Sequence, residues 1–443
     1  MKKILLIFML LLCINVNGTT LFEVKYGKDI KTYTEKDLKT LSNDIKEYKD
    51  GVITINQSTN IDNYGNYNWV FNDNVVIYYN MNGYSLNFNN NSPFIVLGDN
   101  NKINVRGLTS NQESNHNFKG YKEYNSNELE TINVDYPVFT NNISGAFIKG
   151  GKSNYINLNK ICLGGNNISN YLINIDEGSD ILFNYVDIIN NKVNKNSIIN
   201  IDGEKINFKT SNSSFNNNYG NRKNSSLINV NGNNINIDIL DSSISNNEFN
   251  NRVLYIKGNN NSLGLFGTTV YYNSINGNGI IYINGDRNTI GNGKIDHNNV
   301  IDGVLYINGK ENKLIDVSFD SNSATNGGAI YIKGSSNVIT RGIFLDNHAK
   351  YGYDIYNNGE YNKLEGCIFN RDRKGAIYEE SIILLDEDTT FKNTTDTPKI
   401  KNKKNVELIK YIYIFIGILI ILLFVLFVKK NKKKSIVVKN KKK

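Results

Sequence analysis

A glycine placed just after a short apolar run recurs along this chain at a spacing that few folds can use. Gly150, Gly178, Gly203, Gly232, Gly258, Gly285, Gly309, Gly334 and Gly359 follow one another at intervals of 28, 25, 29, 26, 27, 24, 25 and 25 residues. Gly98 reads as an earlier member, separated from the next by a polar insertion at 109–141. Each interval repeats its features in order. In one, Ile330, Tyr331, Ile332 and Lys333 lead to Gly334; Asn337, Val338 and Ile339 follow, then Phe344, Leu345, Asp346 and Asn347. Apolar residues in step at period two predict three short strands per unit. Asn101, Asn261, Asn288, Asn312, Asn337 and Asn362 stand three residues past their glycine. Glycine and asparagine both tolerate left-handed backbone angles, so these positions are expected to form tight corners.

A unit of about 25 residues with three short strands suits one coil of a parallel β-helix. A leucine-rich repeat of similar length would need a leucine framework, whereas isoleucine dominates here. The expected fold is all-β: a single parallel β-helix over 51–393, with a lateral insertion at 109–141. Roughly a dozen coils would make a rod about 55 to 60 Å long. Ahead of it, segment 28–50 reads as a capping helix. Leu38, Leu41, Ile45 and Tyr48 fall at helical spacing, and Thr34 and Asp37 occupy capping-box positions. Such a helix would cover the open strand edge of the first coil, and Ile382 to Leu385 would close the other end.

The flanks predict export and anchoring. Residues 1–18 carry Lys2 and Lys3, an apolar run from Ile4 to Leu12 and small polar residues, the pattern of a secretory signal peptide. Tyr411 to Val428 contains 18 uncharged residues, enough for a single transmembrane helix. Segment 394–410 is a basic juxtamembrane linker. The tail, 429–443, has nine lysines and no acid, which places it in the cytoplasm and the solenoid outside.

These flanks also change what the net charge of +8 means: two charges lie in 1–18, nine in the tail and a net four in 399–410, leaving −7 for residues 19–398. A mildly acidic exterior gives nucleic acid no electrostatic basis for binding. Cys162 and Cys367 lie about eight coils, or about 40 Å, apart, which excludes a disulfide between them.

The repeat resembles that of polymorphic outer-membrane proteins, in which a Gly-Gly-Ala-Ile element alternates with Phe-x-x-Asn. Gly327, Gly328, Ala329 and Ile330 match the first; Phe215 with Asn218, Phe319 with Asn322, and Phe344 with Asn347 match the second. The β-barrel translocator of those proteins is missing. Asparagine richness and the C-terminal helix and lysine tail look more like the adhesin-like surface proteins of methanogenic archaea. That resemblance implies a cell-surface attachment role and carries over no catalytic residues.

Five tyrosines, Tyr255, Tyr282, Tyr306, Tyr331 and Tyr356, each stand three residues before a repeat glycine. Alternation turns them outward, where they would stack at about 4.8 Å per coil and offer a row to sugar faces. The same row would also arise if like neighbours simply stabilised the sheet. A polysaccharide hydrolase or lyase is the competing class. Asp296 and Asp320 both lie eleven residues past their glycine, so they are expected one coil apart, with Asp346 one place out of step and His297 and His348 as proton-transfer candidates. Asn370 shares their column, which reads as turn decoration, so no catalytic residue is assigned. Scattered histidines and isolated cysteines predict no metal site, Asn276 to Gly279 reads as a turn, and neither cofactor nor nucleotide is implied. Glycosylation acceptors are Asn56, Asn90, Asn142, Asn167, Asn212, Asn224, Asn260 and Asn393. The expected partners are therefore surface glycans or envelope components, together with the membrane.

Overall fold

The computed structural model describes residues 18–392, apart from 91, 110–111, 113–120, 125–128, 133–134 and 143–144. From Gly51 onward the chain winds as a parallel β-solenoid, and each coil pairs with the next strand for strand. Tyr282 therefore lies beside Tyr306, and Asn200 beside Asn229. One face is a twelve-stranded sheet that carries the tyrosines and is called the tyrosine sheet below. Two further strand series per coil belong to a 23-stranded sheet. A fourth strand of only two residues, such as Ser274–Ile275, forms a five-stranded sheet between them. Twelve strands at the usual spacing span about 53 Å. The short fourth strand was not read from the sequence, because two residues are too few for alternation to show.

Inward positions build one continuous core from Leu21 to Ile383, mainly isoleucine, leucine, valine and phenylalanine. Phe319, Phe344, Phe369 and Phe391 stack through it with centroids 5.4, 4.5 and 4.7 Å apart. Cys162 and Cys367 are free and buried.

Asparagine is the polar frame of this core. Asn166, Asn191, Asn218, Asn247, Asn273, Asn298, Asn322 and Asn347 occupy one bend in eight successive coils, each at most 1% exposed. The backbone N–H and side-chain amide of Asn298 both donate to Oδ1 of Asn322, each at 3.0 Å, and the same Nδ2 donates to the Val270 carbonyl at 2.9 Å. The rungs from Asn166 to Asn322 repeat this pattern, so backbone groups that lose their strand partners at the bend remain satisfied inside the protein. Phe-x-x-Asn is now explained: the phenylalanine enters the core stack and the asparagine enters the ladder.

The corner after the repeat glycine works similarly, and its structure corrects the expected role of the asparagine. Asn261, Asn288, Asn312, Asn337 and Asn362 form a second buried ladder, with each backbone N–H donating to the next Oδ1. The left-handed residue is the one before each asparagine, as at Asn260, Arg287, Glu311, Ser336 and Tyr361. Gly178, Gly203 and Gly258 take the positive φ that the sequence suggests, whereas Gly309 and Gly334 are needed for close approach. A Cβ on Gly309 would lie 1.9 Å from the Gly285 carbonyl oxygen, and one on Gly334 1.7 Å from that of Gly309. Asn337 and Asn362 then donate from Nδ2 to the carbonyls of Gly309 and Gly334.

Residues before the first coil form more than a helix. Thr20–Tyr26 and Asp29–Thr34 make a hairpin, and its first strand pairs antiparallel with Gly51–Gln57. Segment 28–50 is thus a strand, a 3₁₀ turn at Glu35–Asp37 and a helix at Leu38–Glu47. Asp37 accepts from the Thr34 N–H, as the capping box predicts, and also from its hydroxyl, and Leu38, Leu41 and Ile45 join the core. Tyr33 and Lys31 donate to Asp44 at 2.6 and 2.9 Å, tying hairpin to helix.

The insertion is shorter than expected, because Val138–Asn142 is already back in the sheet, with Phe139 paired to Leu86. Ile383 is buried, while Leu384–Leu385 adds one more strand rather than a cover. No helix among the described residues is long and apolar enough to cross a membrane. The expected signal segment, apart from Gly18, and the expected linker, membrane span and tail at 394–410, 411–428 and 429–443 lie outside the described residues.

Asn298→Ala strands the donors of Asn273 and leaves the Val270 carbonyl without this amide; a urea midpoint should report a loss of about 3 kcal/mol. Asn299→Ala, at the exposed neighbour, should change stability by under about 0.5 kcal/mol. The first ladder ends where Nδ2 of Asn347 donates to Asp354 at 2.9 Å. Burial raises the Asp354 carboxyl to about 6, against the opposing hydrogen bond from Asn347 and the charge of Arg371. A carboxyl raised above its unfolded value penalises the fold as pH climbs from about 4 through 6. Asp354→Asn should therefore stabilise by about 2 kcal/mol at pH 7.5 and change little at pH 4, read from paired thermal melts at both pH values.

Candidate ligand-binding face

The tyrosine sheet has an outward column that runs through nine coils: Asn174, Asn200, Asn229, Tyr255, Tyr282, Tyr306, Tyr331, Tyr356 and Tyr378. Period-two alternation puts it there, because its neighbours in each strand, such as Ile281 and Ile283, are buried. All five tyrosines expected from the sequence are in register. Tyr378 extends the row and was missed, because Glu379 and Glu380 follow it where earlier coils place an isoleucine and a polar residue ahead of glycine.

Geometry divides the row. Centroids lie 4.7 Å apart for Tyr282 and Tyr306 and 4.8 Å apart for Tyr306 and Tyr331, and again for Tyr331 and Tyr356, with ring planes within 15°. Each inner ring thus spends its faces on its neighbours, and Tyr306 is only 6% exposed. The expectation that ring faces meet sugar faces is corrected accordingly: the inner rungs present edges and hydroxyls. Glycine spacing assists the burial, since a Cβ on Gly303 would lie 2.6 Å from the Tyr331 Cβ. Burial raises the Tyr306 and Tyr282 phenols above their ordinary value, so both stay neutral donors at physiological pH. Tyr356 donates to Glu380.

The N-terminal end of the row differs. Tyr255 stands edge-on to Tyr282 at 84°, and the Arg252 guanidinium lies 4.2 and 4.0 Å from their two centroids. Beyond it the column becomes amides: Nδ2 of Asn229 donates to Asn200, and Nδ2 of Asn200 to Asn174, both at 2.8 Å. Asn308 donates to Asn284 alongside the tyrosines at 3.0 Å. The whole face is a stripe of fixed hydrogen-bonding groups at the strand repeat.

The catalytic candidates lie on another face. Asp296 and Asp320 are paired in adjacent coils, with Asn370 two coils further along that column. Lys294 stands 2.8 Å from Asp296 and 4.0 Å from Asp320. Desolvation pushes the Asp296 carboxyl up, but hydrogen bonds from Lys294 and His297 outweigh it and hold the pKa below the usual value. A proton donor in glycoside cleavage needs the opposite shift. His348 lies in the column of Ser323 and Asn299, two coils beyond His297 and two places aside, so the two histidines do not meet. Asp346 is bonded by Asn370 at 2.6 Å.

Among the sequons, Asn167, Asn212, Asn224 and Asn260 are exposed and Asn56 is half-buried; the side chains of Asn90, Asn142 and Asn393 lie outside the described residues. No His, Cys, Asp or Glu group with metal-holding geometry occurs among the described residues. No protein-family model, curated protein or solved structure matches the chain. Function therefore has to be read from the site itself.

Replacing the fully stacked Tyr306 by alanine should cost about 3 kcal/mol, because it removes two ring contacts and their burial. Tyr255→Ala, at the edge-on end, should cost about 1 kcal/mol in the same denaturation assay.

Proposed function

We propose that this chain is a membrane-anchored attachment protein of the cell surface, and that the outer tyrosine sheet is its contact face for glycans or neighbouring envelope components. The observation that carries this reading is the straight stripe of three amides and six phenols across nine coils. A hydroxyl-rich polymer laid along it meets the same donor and acceptor groups about every 4.8 Å. Individually weak contacts then add, because each bound rung holds the next at high effective concentration. Fixed side chains on a rigid sheet lose little entropy on binding.

The remaining features fit that role. The hairpin and helix at Thr20–Glu47 act as the N-terminal cap, occupying the strand edge that would otherwise recruit another chain. The apolar segments at 1–18 and 411–428 would export and anchor the protein, with the solenoid outside and the lysine tail in the cytoplasm. The resemblance to adhesin-like surface proteins points the same way.

A polysaccharide hydrolase is the second reading, favoured by the adjacent Asp296 and Asp320. Lys294 between the two carboxylates counts against it. A panel of soluble polysaccharides applied to the purified exterior part separates the readings. Attachment predicts retention without new reducing ends, weakened at least tenfold in the Tyr282→Ala, Tyr331→Ala double variant. Cleavage abolished by Asp296→Asn or Asp320→Asn would establish the hydrolase instead, and absence of both would leave a passive envelope component.

A further inference from the structure

Resting on the attachment reading, we propose that the ligand is an acidic polysaccharide, and that Arg252 at the N-terminal end of the tyrosine row receives its anionic groups. Arginine is normally neutralised by a carboxylate or left mobile in solvent. Arg252 is neither. Its guanidinium is stacked on Tyr255 and Tyr282 at 4.2 and 4.0 Å, and its Nε is buried without a hydrogen-bond partner. Among the described residues it has no carboxylate partner within 4.0 Å. A planar fork already held in place gives up little freedom when it binds a carboxylate or sulfate ester bidentately.

The surroundings enlarge this positive spot. Asn221 accepts from Asn250, and Ser226 pairs with Arg252, so the loop carrying Arg222 and Lys223 lies one coil before it. Lys257 follows in the strand of Tyr255 itself, and Lys333 stands two residues beyond Tyr331 in the row. All four are exposed, and none has a carboxylate partner among the described residues. Several cations elsewhere are matched, as Lys152 is with Glu177 and Arg341 with Asp316. Cations without a carboxylate partner around the junction of amides and phenols, with Lys333 further along the row, in an exterior of net negative charge, mark where an anionic polymer is accepted rather than repelled. The hydroxyls of such a polymer would lie along Asn229, Tyr282 and Asn284, with its charges over Arg252 and Lys257.

Polygalacturonate and its methyl ester form a matched probe, since they share the sugar backbone and differ in charge. Affinity electrophoresis of the exterior part should show retention by polygalacturonate at least tenfold stronger than by the ester. Arg252→Gln should reduce it to the ester level with a urea midpoint close to wild type. Should that variant fail to fold, Arg222→Gln with Lys257→Gln, away from the ring stack, should weaken retention and flatten its salt dependence. Equal binding of acid and ester would overturn the acidic ligand while leaving attachment intact. Binding of neither polymer, nor of neutral glycans, would remove the attachment reading as well. Displacement by single-stranded DNA as readily as by free polygalacturonate would overturn the identification of a sugar.

Discussion

Everything in this solenoid depends on satisfying the backbone where strands give way to bends. A parallel coil has to turn several times within about 25 residues, and at each turn N–H and carbonyl groups leave their sheet partners while still facing the interior. The buried asparagine ladders solve this with a side chain that is itself an amide. Nδ2 of Asn298 takes the place of a backbone N–H toward Val270, and its Oδ1 takes the place of a carbonyl toward Asn273. The chain is asparagine-rich where this geometry requires it, and isoleucine fills the space between.

The glycine corner imposes the complementary constraint of register. With carbonyl oxygens less than 2 Å from where a Cβ would sit on Gly309 or Gly334, successive coils cannot slide without collision. Fixed register aligns the columns, and an aligned column of tyrosines must stack. That stacking stabilises the sheet, and it also removes the inner ring faces from any ligand. Structure and recognition therefore compete for the same surface, leaving hydroxyls, ring edges and the ends of the row for contact.

Charge divides in the same way between whole and part. Net charge describes what approaches from a distance, whereas binding depends on which ions lack partners. Asp296 and Asp320 have Lys294, while Arg252 has two aromatic rings and no acid among the described residues. The unpaired group is the informative one, and no composition figure could have found it.

Periodicity in the sequence was enough to determine the solenoid, its coil length, the five-tyrosine row and the one-coil separation of Asp296 and Asp320, because residues a fixed interval apart in a regular coil must become neighbours. Local chemistry also showed the capping box at Thr34 and Asp37. The first ladder was partly legible as Phe215 with Asn218 and Phe319 with Asn322, yet Ile244 with Asn247 and Val270 with Asn273 carry the same apolar-x-x-Asn signal without the phenylalanine. Three matters were decided only by the folded chain. The hairpin at Thr20–Thr34 forms because its first strand finds the edge of Gly51–Gln57, a long-range pairing with little local periodicity. The repeat asparagines are buried acceptors rather than corner residues, since side-chain direction at a bend depends on the left-handed residue before it. Which faces of Tyr282 and Tyr306 remain open, and that Arg252 covers the end of their row, follow from ring orientation across coils, a property that exists only once separate coils are packed together.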